Sequence, residues 1–290
     1  MVRRLVLGAS VAILASSSVH ADGPPATSNI LLAKDVPVIG MAEWEVEQKG
    51  AAEQTGARIL IAAGKDDTAK APPNASRYES QTFHFPHGDV RVLTFHQATG
   101  GVMHQITTET EIYVVKGSAT VNVRGTPVEI AAGDVVNLPS GALRSVPGKV
   151  EDTTIVAYTV ANTMKDAKAA VVRGADLPTP TLAGGPKAGV GGASTAVKRY
   201  AFDGNSIRVA HLSGSGKTSP YTGNVDVLIY VASGHLRINV GDESREVSAG
   251  DVLREEAGKP SFWEVLADSS FVATNSPVPE TALNPGAASR

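Results

Sequence analysis

Residues 111–123 read EIYVVKGSATVNV, and residues 228–240 read LIYVASGHLRINV. Each has an apolar run, a central glycine and an alternating tail. In the first tail Ala119, Val121 and Val123 share one face, while Thr120 and Asn122 take the other. In the second, Leu236, Ile238 and Val240 form the matching apolar face. The likeness continues downstream: IAAGDVVNLPSG (130–141) corresponds to VSAGDVLREEAG (247–258). Gly234 stands 117 positions after Gly117, as Gly250 does after Gly133 and Arg208 after Arg91. A register unchanged over about fifty residues marks a duplication, so the chain is two copies of one β unit.

The rest of the first copy has the same texture. DVRVLTF, EIYVV, ATVNV, PVEIA and DVVNLP follow one another as short strand candidates, and TTIVAYTV closes the set. Dense short strands separated by Gly, Pro and Asp predict a barrel or sandwich. Closing each unit, or pairing it with the other copy, would remove exposed strand edges.

Composition bounds the function. The 290 residues include 29 Gly and 17 Pro, with 42% hydrophobic and only 19% charged residues, which suits a mainly β protein. Net charge is −3 and no basic stripe occurs, so there is no electrostatic footprint for nucleic acid. Without cysteine, disulfides and thiolate chemistry are excluded.

The chain divides into six parts. Residues 1–21 read as an export signal: MVRR, then the apolar LVLGASVAILASSS, then VHA with cleavage after Ala21. This predicts a periplasmic or secreted protein with no membrane segment in its mature form. Residues 22–79 form an N-terminal extension. Within it, 22–40 read as a loose arm, 41–62 as a weak amphipathic helix interrupted by Gly50 and Gly56, and 63–77 as a loop. Residues 80–164 and 198–276 are the two β units. A Pro- and Gly-rich linker (165–197) joins them, and 277–290 form a tail.

The stretches H…TETEIYVVKG and AAGDVVNLPSGALRS resemble the two signature motifs of the cupins, and SAGDVLREEAGKPS is the second copy's version. The duplicated pattern resembles the two-domain bicupins. The resemblance implies an all-β fold, a duplicated jelly-roll-like barrel open at one end. In cupins a metal is held by two histidines and a glutamate of the first motif and a histidine of the second. Carried over one by one, those positions fall on His104, Ile106, Thr110 (flanked by Glu109 and Glu111) and Arg144. In the second copy they fall on Tyr221, Gly223, Val227 and Ser261. A divalent metal needs about three or four converging ligands. No resident cofactor is therefore expected. A divalent metal remains open only through an unusual set, His96 and His104 with Glu111 swung inward by a bulge.

If the positions keep the family's facing, Thr110, Ile112 and Val114 line the first barrel across from His104 and Arg144. Arginine offers a fork of donors to a carboxylate or enolate, and histidine moves protons near neutral pH. That pair suits metal-independent proton transfer next to a carbonyl, by an isomerase or lyase acting on a sugar acid or phenolic compound. His104 would be the acid or base, and Arg144 would stabilise developing negative charge. Thr110, Glu111, Arg91, His96 and Trp263 are the candidate substrate-binding residues. Arg144 could instead simply pair with Glu109 or Glu111. The charged residues of the second copy, among them Arg254, Glu255 and Glu256, read as a solvated or interface face. Two alternatives stand beside the enzyme: a small-molecule-binding or scaffold protein with a decayed site, and a metal-dependent dioxygenase or isomerase. The partner in each case is a small molecule, and a homo-oligomer is open.

Overall fold

The computed structural model describes residues 27–49, 55–97, 104–105, 110–123, 126–139, 143–145, 150–160, 170–178, 194–202 and 206–276. The expected export signal (1–21) and the expected C-terminal tail (277–290) lie outside these residues. The chain forms β1 (Ile30–Leu31), β2 (Ile39–Lys49), β3 (Thr55–Ala63), β4 (Ser76–Phe85), β5 (Gly88–Gln97), β6 (His104–Gln105) and β7 (Thr110–Val123). These are followed by β8 (Thr126–Ala131), β9 (Val135–Leu138), β10 (Leu143–Ser145), β11 (Val150–Val160) and β12 (Ala170–Val172). The second unit contributes β13 (Ser194–Ala201), β14 (Ser206–Ser213), β15 (Gly216–Lys217), β16 (Tyr221–Thr222), β17 (Asp226–Val240), β18 (Glu243–Ser248), β19 (Val252–Glu255) and β20 (Pro260–Ser276). They make two antiparallel sheets, one per copy. The first runs β12-β9-β7-β11-β5-β4-β2-β3, and the second β1-β19-β17-β20-β14-β13. The expected all-β fold of two duplicated units is the observed fold.

Alternation decides what each strand buries. On β7, Ile112 and Val114 enter the first unit's core with Leu93, Phe95, Ile155 and Leu138. Tyr113 and Val115 pack the other way, against a core shared with the second unit. Past Gly117 the phase inverts, and Ala119 and Val121 become the inward residues. On β17, Ile229 and Val231 point inward before Gly234, and Leu236, Ile238 and Val240 after it. Both glycines sit at positive φ, 79° and 88°, and the β17–β20 ladder shifts register beside Gly234. A left-handed residue with a bulge re-aims a strand in this way, so one long strand can serve two walls.

The two sheets meet through the shared core, where Phe83, Val90, Val156 and Tyr158 of the first lie against Ile207, Val209, Leu228 and Val272 of the second. The Tyr158 hydroxyl donates to the Val272 carbonyl at 2.7 Å, inside this core. His87, in the β4–β5 turn, binds the buried carboxylate of Asp226 at 2.8 Å. Strand leaders cross over as well. β1, ahead of the first unit, pairs with β19 of the second, while β12, ahead of the second, pairs with β9 of the first. Each leader runs into a short 3-10 helix held by the GD aspartate of the unit it joins. Asp251 Oδ1 accepts from the Ala33 amide at 2.7 Å, and Asp134 Oδ1 from the Gly174 amide at 3.0 Å.

Four sequence expectations change. Residues 41–49 and 55–62 are not helical: they lie in β2 and β3, which pair antiparallel and add to the first sheet through β2–β4. The period of two was present in Ala42, Trp44 and Val46 against Glu43, Glu45 and Glu47, and two glycines disfavoured a helix. The described part of the supposed arm (27–40) holds β1, and that of the supposed linker holds β12. The 63–77 loop carries one helical turn, Lys65–Thr68.

A methyl group on Gly234 would lie under 3.0 Å from Ser269 Oγ and the Asp268 carbonyl, on a residue already at positive φ. Gly234→Ala is therefore expected to cost about 2–4 kcal/mol in urea unfolding. Gly40→Ala, with open space around it, should change stability by less than about 0.5 kcal/mol. Burial also raises the phenol pKa values of Tyr113, Tyr158, Tyr200 and Tyr230, that of Tyr200 to about 12. The unfolded chain ionises near 10, so this contribution to stability is complete below pH 10. It is lost as pH rises toward 12, because only the unfolded chain then releases protons. The urea midpoint should stay flat up to about pH 10 and then fall, and Tyr200→Phe should flatten the fall.

Candidate functional site

The row of residues expected to form the site is built by three strands. His104 of β6 pairs directly with Arg144 of β10, and Arg144 pairs with Val123 of β7. Residues directly opposite in a ladder share a face. Val123 stands two residues after Val121 and four after Ala119, the residues by which β7 enters the barrel core. The second unit repeats this row 117 positions later, with Tyr221 paired to Ser261 and Ser261 to Val240. The register inferred from the repeat is thus the register of the hydrogen-bonded ladder.

Two of the proposed binding residues share the inward phase. Thr110 is buried at the start of β7, in step with Ile112 and Val114. Arg91 is in step with Leu93 and Phe95, and its row runs across Ala157 to Ile112. Ile106 and Glu109 lie outside the described residues.

Glu111 and His96 are placed elsewhere. Glu111 is 0% exposed and sits on the opposite face of β7, where its Oε2 accepts a hydrogen bond from Thr274 of the second unit. The β7–β11 ladder is regular through Glu111, and its irregularities lie between Glu151 and Ile155. The bulge that would swing Glu111 inward is absent. The His96 side chain is 56% exposed, beside Glu79 and Asp152. It follows Phe95 and so takes the phase opposite the barrel core. His96 and Glu111 therefore do not join His104 as a ligand set. The remaining cupin ligand positions carry one imidazole, a threonine, an isoleucine and a guanidinium, a donor set that does not fit a divalent cation. The second copy's Tyr221, Gly223, Val227 and Ser261 fit one no better.

A site feature not anticipated from the sequence lies on the same wall. His84 Nδ1 and Asp89 Oδ1 are 3.0 Å apart across the β4–β5 hairpin. Their row continues through Thr159 to Thr110. A carboxylate on one ring nitrogen orients the imidazole and leaves the other nitrogen for proton exchange. The two-residue turn at Pro86 and His87 was the available signal, since it makes positions 84 and 89 cross-strand neighbours.

Trp263 belongs to the second barrel. It is buried at 7% exposure, stacks on Phe271 with ring centroids 4.6 Å apart, and donates from Nε1 to Glu255 Oε1 at 2.9 Å. Ser261 donates to the same oxygen at 2.8 Å. Glu255 is thus an inward residue of β19, in phase with Leu253 of the core. Arg254 and Glu256 have the solvated or interface role expected of this charged run: Arg254 contacts Asn29 and Asp226, and Glu256 pairs with Arg254 and Lys259 and accepts from Asn29.

Residues 85–160 match the family described as the EutQ-like cupin domain. No curated protein matches the chain. Among solved structures, the putative glyoxylate-induced protein from Pseudomonas aeruginosa superposes with a TM-score of 0.57 at 12% identity, covering 89% of this chain and 93% of that one. AerE from Microcystis aeruginosa gives a TM-score of 0.60 at 10% identity, over 71% and 94%. Oxalate decarboxylase from Bacillus subtilis gives 0.51 at 12% identity, over 72% and 78%. At these identities the likeness is one of fold.

The facing of these residues is open to a stability test. Glu111→Ala is expected to cost about 1–3 kcal/mol, because it strips a hydrogen bond from the buried contact between units. His96→Ala should stay within about 0.5 kcal/mol. Urea denaturation of the two variants checks both.

Proposed function

We propose that this two-barrel chain is a cupin-type protein that carries out metal-independent proton transfer on a small oxygenated acid in its first barrel. The substrate class is a sugar acid or phenolic acid, and the reaction is that of an isomerase or lyase. The observation that carries the reading is the direct ladder pairing of His104 with Arg144 beside β7. Arg144 supplies a fixed cation for a carboxylate or enolate oxygen. His104 takes the proton from the carbon next to the carbonyl and returns it to a neighbouring atom. Arg91 and Thr110 hold the substrate, and the His84–Asp89 pair adds an oriented imidazole to the same wall. One solved structure of similar fold, oxalate decarboxylase, is named for an activity on a small acid, and this agrees with the proposed substrate class. The mature chain, beginning at Asp22, works outside the cytoplasm.

The reading is tested by melting the purified protein with a panel of sugar acids and phenolic acids, since a ligand that binds the folded state raises Tm. A rise that survives exhaustive chelation is expected, together with turnover of the responding compound. His104→Ala should abolish turnover while leaving much of the Tm shift, and Arg144→Ala should remove most of the shift. A shift without turnover would make the protein a binding protein. Full activity in both variants, or stoichiometric metal whose removal ends activity, would overturn the proposal. Intact mass of the exported protein should correspond to a start at Asp22.

A further inference from the structure

The second barrel lacks the His104–Arg144 pair, yet its inner wall carries charge of both signs. Arg208 stands at the position of Arg91 and is in phase with Ala210 and Leu212 of β14. Its Nη2 donates to Asn275 Oδ1 at 2.8 Å, and its Nε is buried without an acceptor. Burial lowers its pKa, and the charge of Glu255 opposes that shift. A guanidinium withdrawn from water normally has a carboxylate in contact with it. Among the described residues, no ion pair joins Arg208 to Glu255. One oxygen of Glu255 is instead held by Trp263 and Ser261.

The ladders place these groups around one apolar spot. Val227 pairs on one side with Asn275 and on the other with Glu255. Arg208 pairs with Ala273, one inward position from Asn275 on β20. Val227 occupies the position that is Thr110 in the first barrel, so a small apolar side chain separates the cation from the anion. The rim is Tyr221, exposed and paired with Ser261.

We propose that the second barrel is a separate binding site for a small carboxylate bearing a neighbouring hydroxyl or ammonium group. The carboxylate lies against the Arg208 guanidinium and supplies the acceptor its Nε lacks. The hydroxyl or ammonium group donates to Glu255, whose position is set by Trp263 and Ser261. The ligand spans Val227 and completes a bridge that the side chains do not make themselves. This site is independent of the chemistry assigned to His104 and Arg144.

Trp263 reports on it directly, because its indole nitrogen is bonded to Glu255. The chain has two tryptophans, so full-length protein carrying Trp44→Phe leaves Trp263 as the sole emitter. Titration with glycolate, lactate and serine is expected to give a saturable change in its fluorescence. Acetate should bind at least about tenfold more weakly, and glycerol should give no change. Arg208→Gln should weaken binding about tenfold or more, Arg208→Lys less, and Glu255→Gln should weaken serine more than lactate. Circular dichroism melts confirm that each variant is folded, and the conservative Arg208→Lys and Glu255→Gln keep the test open if Arg208→Gln does not fold. His104→Ala should leave the titration unchanged, which separates this site from the first barrel. No saturable response to any of these carboxylates would overturn the proposal. So would a response unaffected by the Arg208 and Glu255 substitutions, or one abolished by His104→Ala.

Discussion

The central strands of both units are buried on two faces, and most of the molecule follows from that constraint. Each of β7, β11, β14, β17 and β20 gives one set of alternate residues to its own barrel and the other to the shared core. A strand in that position has no side left for water, so its polar groups must be satisfied inside. Tyr158 reaches the Val272 carbonyl and Glu111 meets Thr274, both across the boundary between units. The exchange of β1 and β12 ties the same boundary from its edges. Separating the two copies would expose these faces and break the leader strands at once, so the units are structurally dependent on each other.

Double burial also determines where chemistry can occur. The intersheet face is buried and lined mainly by aromatic and aliphatic side chains, so a polar residue there is structural. The inward face is where the barrel wall carries His84, Asp89, Arg91 and Thr110 in one copy and Arg208, Glu255 and Asn275 in the other. The two copies share strand register yet differ in what occupies equivalent rows. Thr110 and Leu138 in the first correspond to Val227 and Glu255 in the second. Duplication preserved the scaffold and let the two walls acquire different charge patterns, which is the usual division between fold and site.

Much of the fold was legible in the chain itself. The constant spacing from Gly117 to Gly234 and from Gly133 to Gly250 revealed two copies, and the strand runs lay where alternation put them. The ladder pairs His104–Arg144 and Tyr221–Ser261 agree with the register counted from those glycines. Residues 41–62 misled because a Glu- and Ala-rich composition favours helix while the alternation favours strand. Pairing with β4 settled it, since tertiary context overrides propensity. The site was only partly legible. His84 and Asp89 required a hairpin register, and the inward facing of Glu255 required knowing that Leu253 points into a barrel.

The sequence alone determined that this protein is a duplicated all-β chain, and which of its residues stand at the metal-ligand positions of the cupins it resembles. It determined too that each strand has two alternating faces. Only the tertiary structure decided which face is the barrel and which the contact between units. That choice sends Glu111 to Thr274 and keeps Arg208 and Glu255 inside. Alternation divides a strand's residues into two sets by backbone geometry alone, whereas the identity of the inner set depends on what packs against each face, and half of that comes from the other copy.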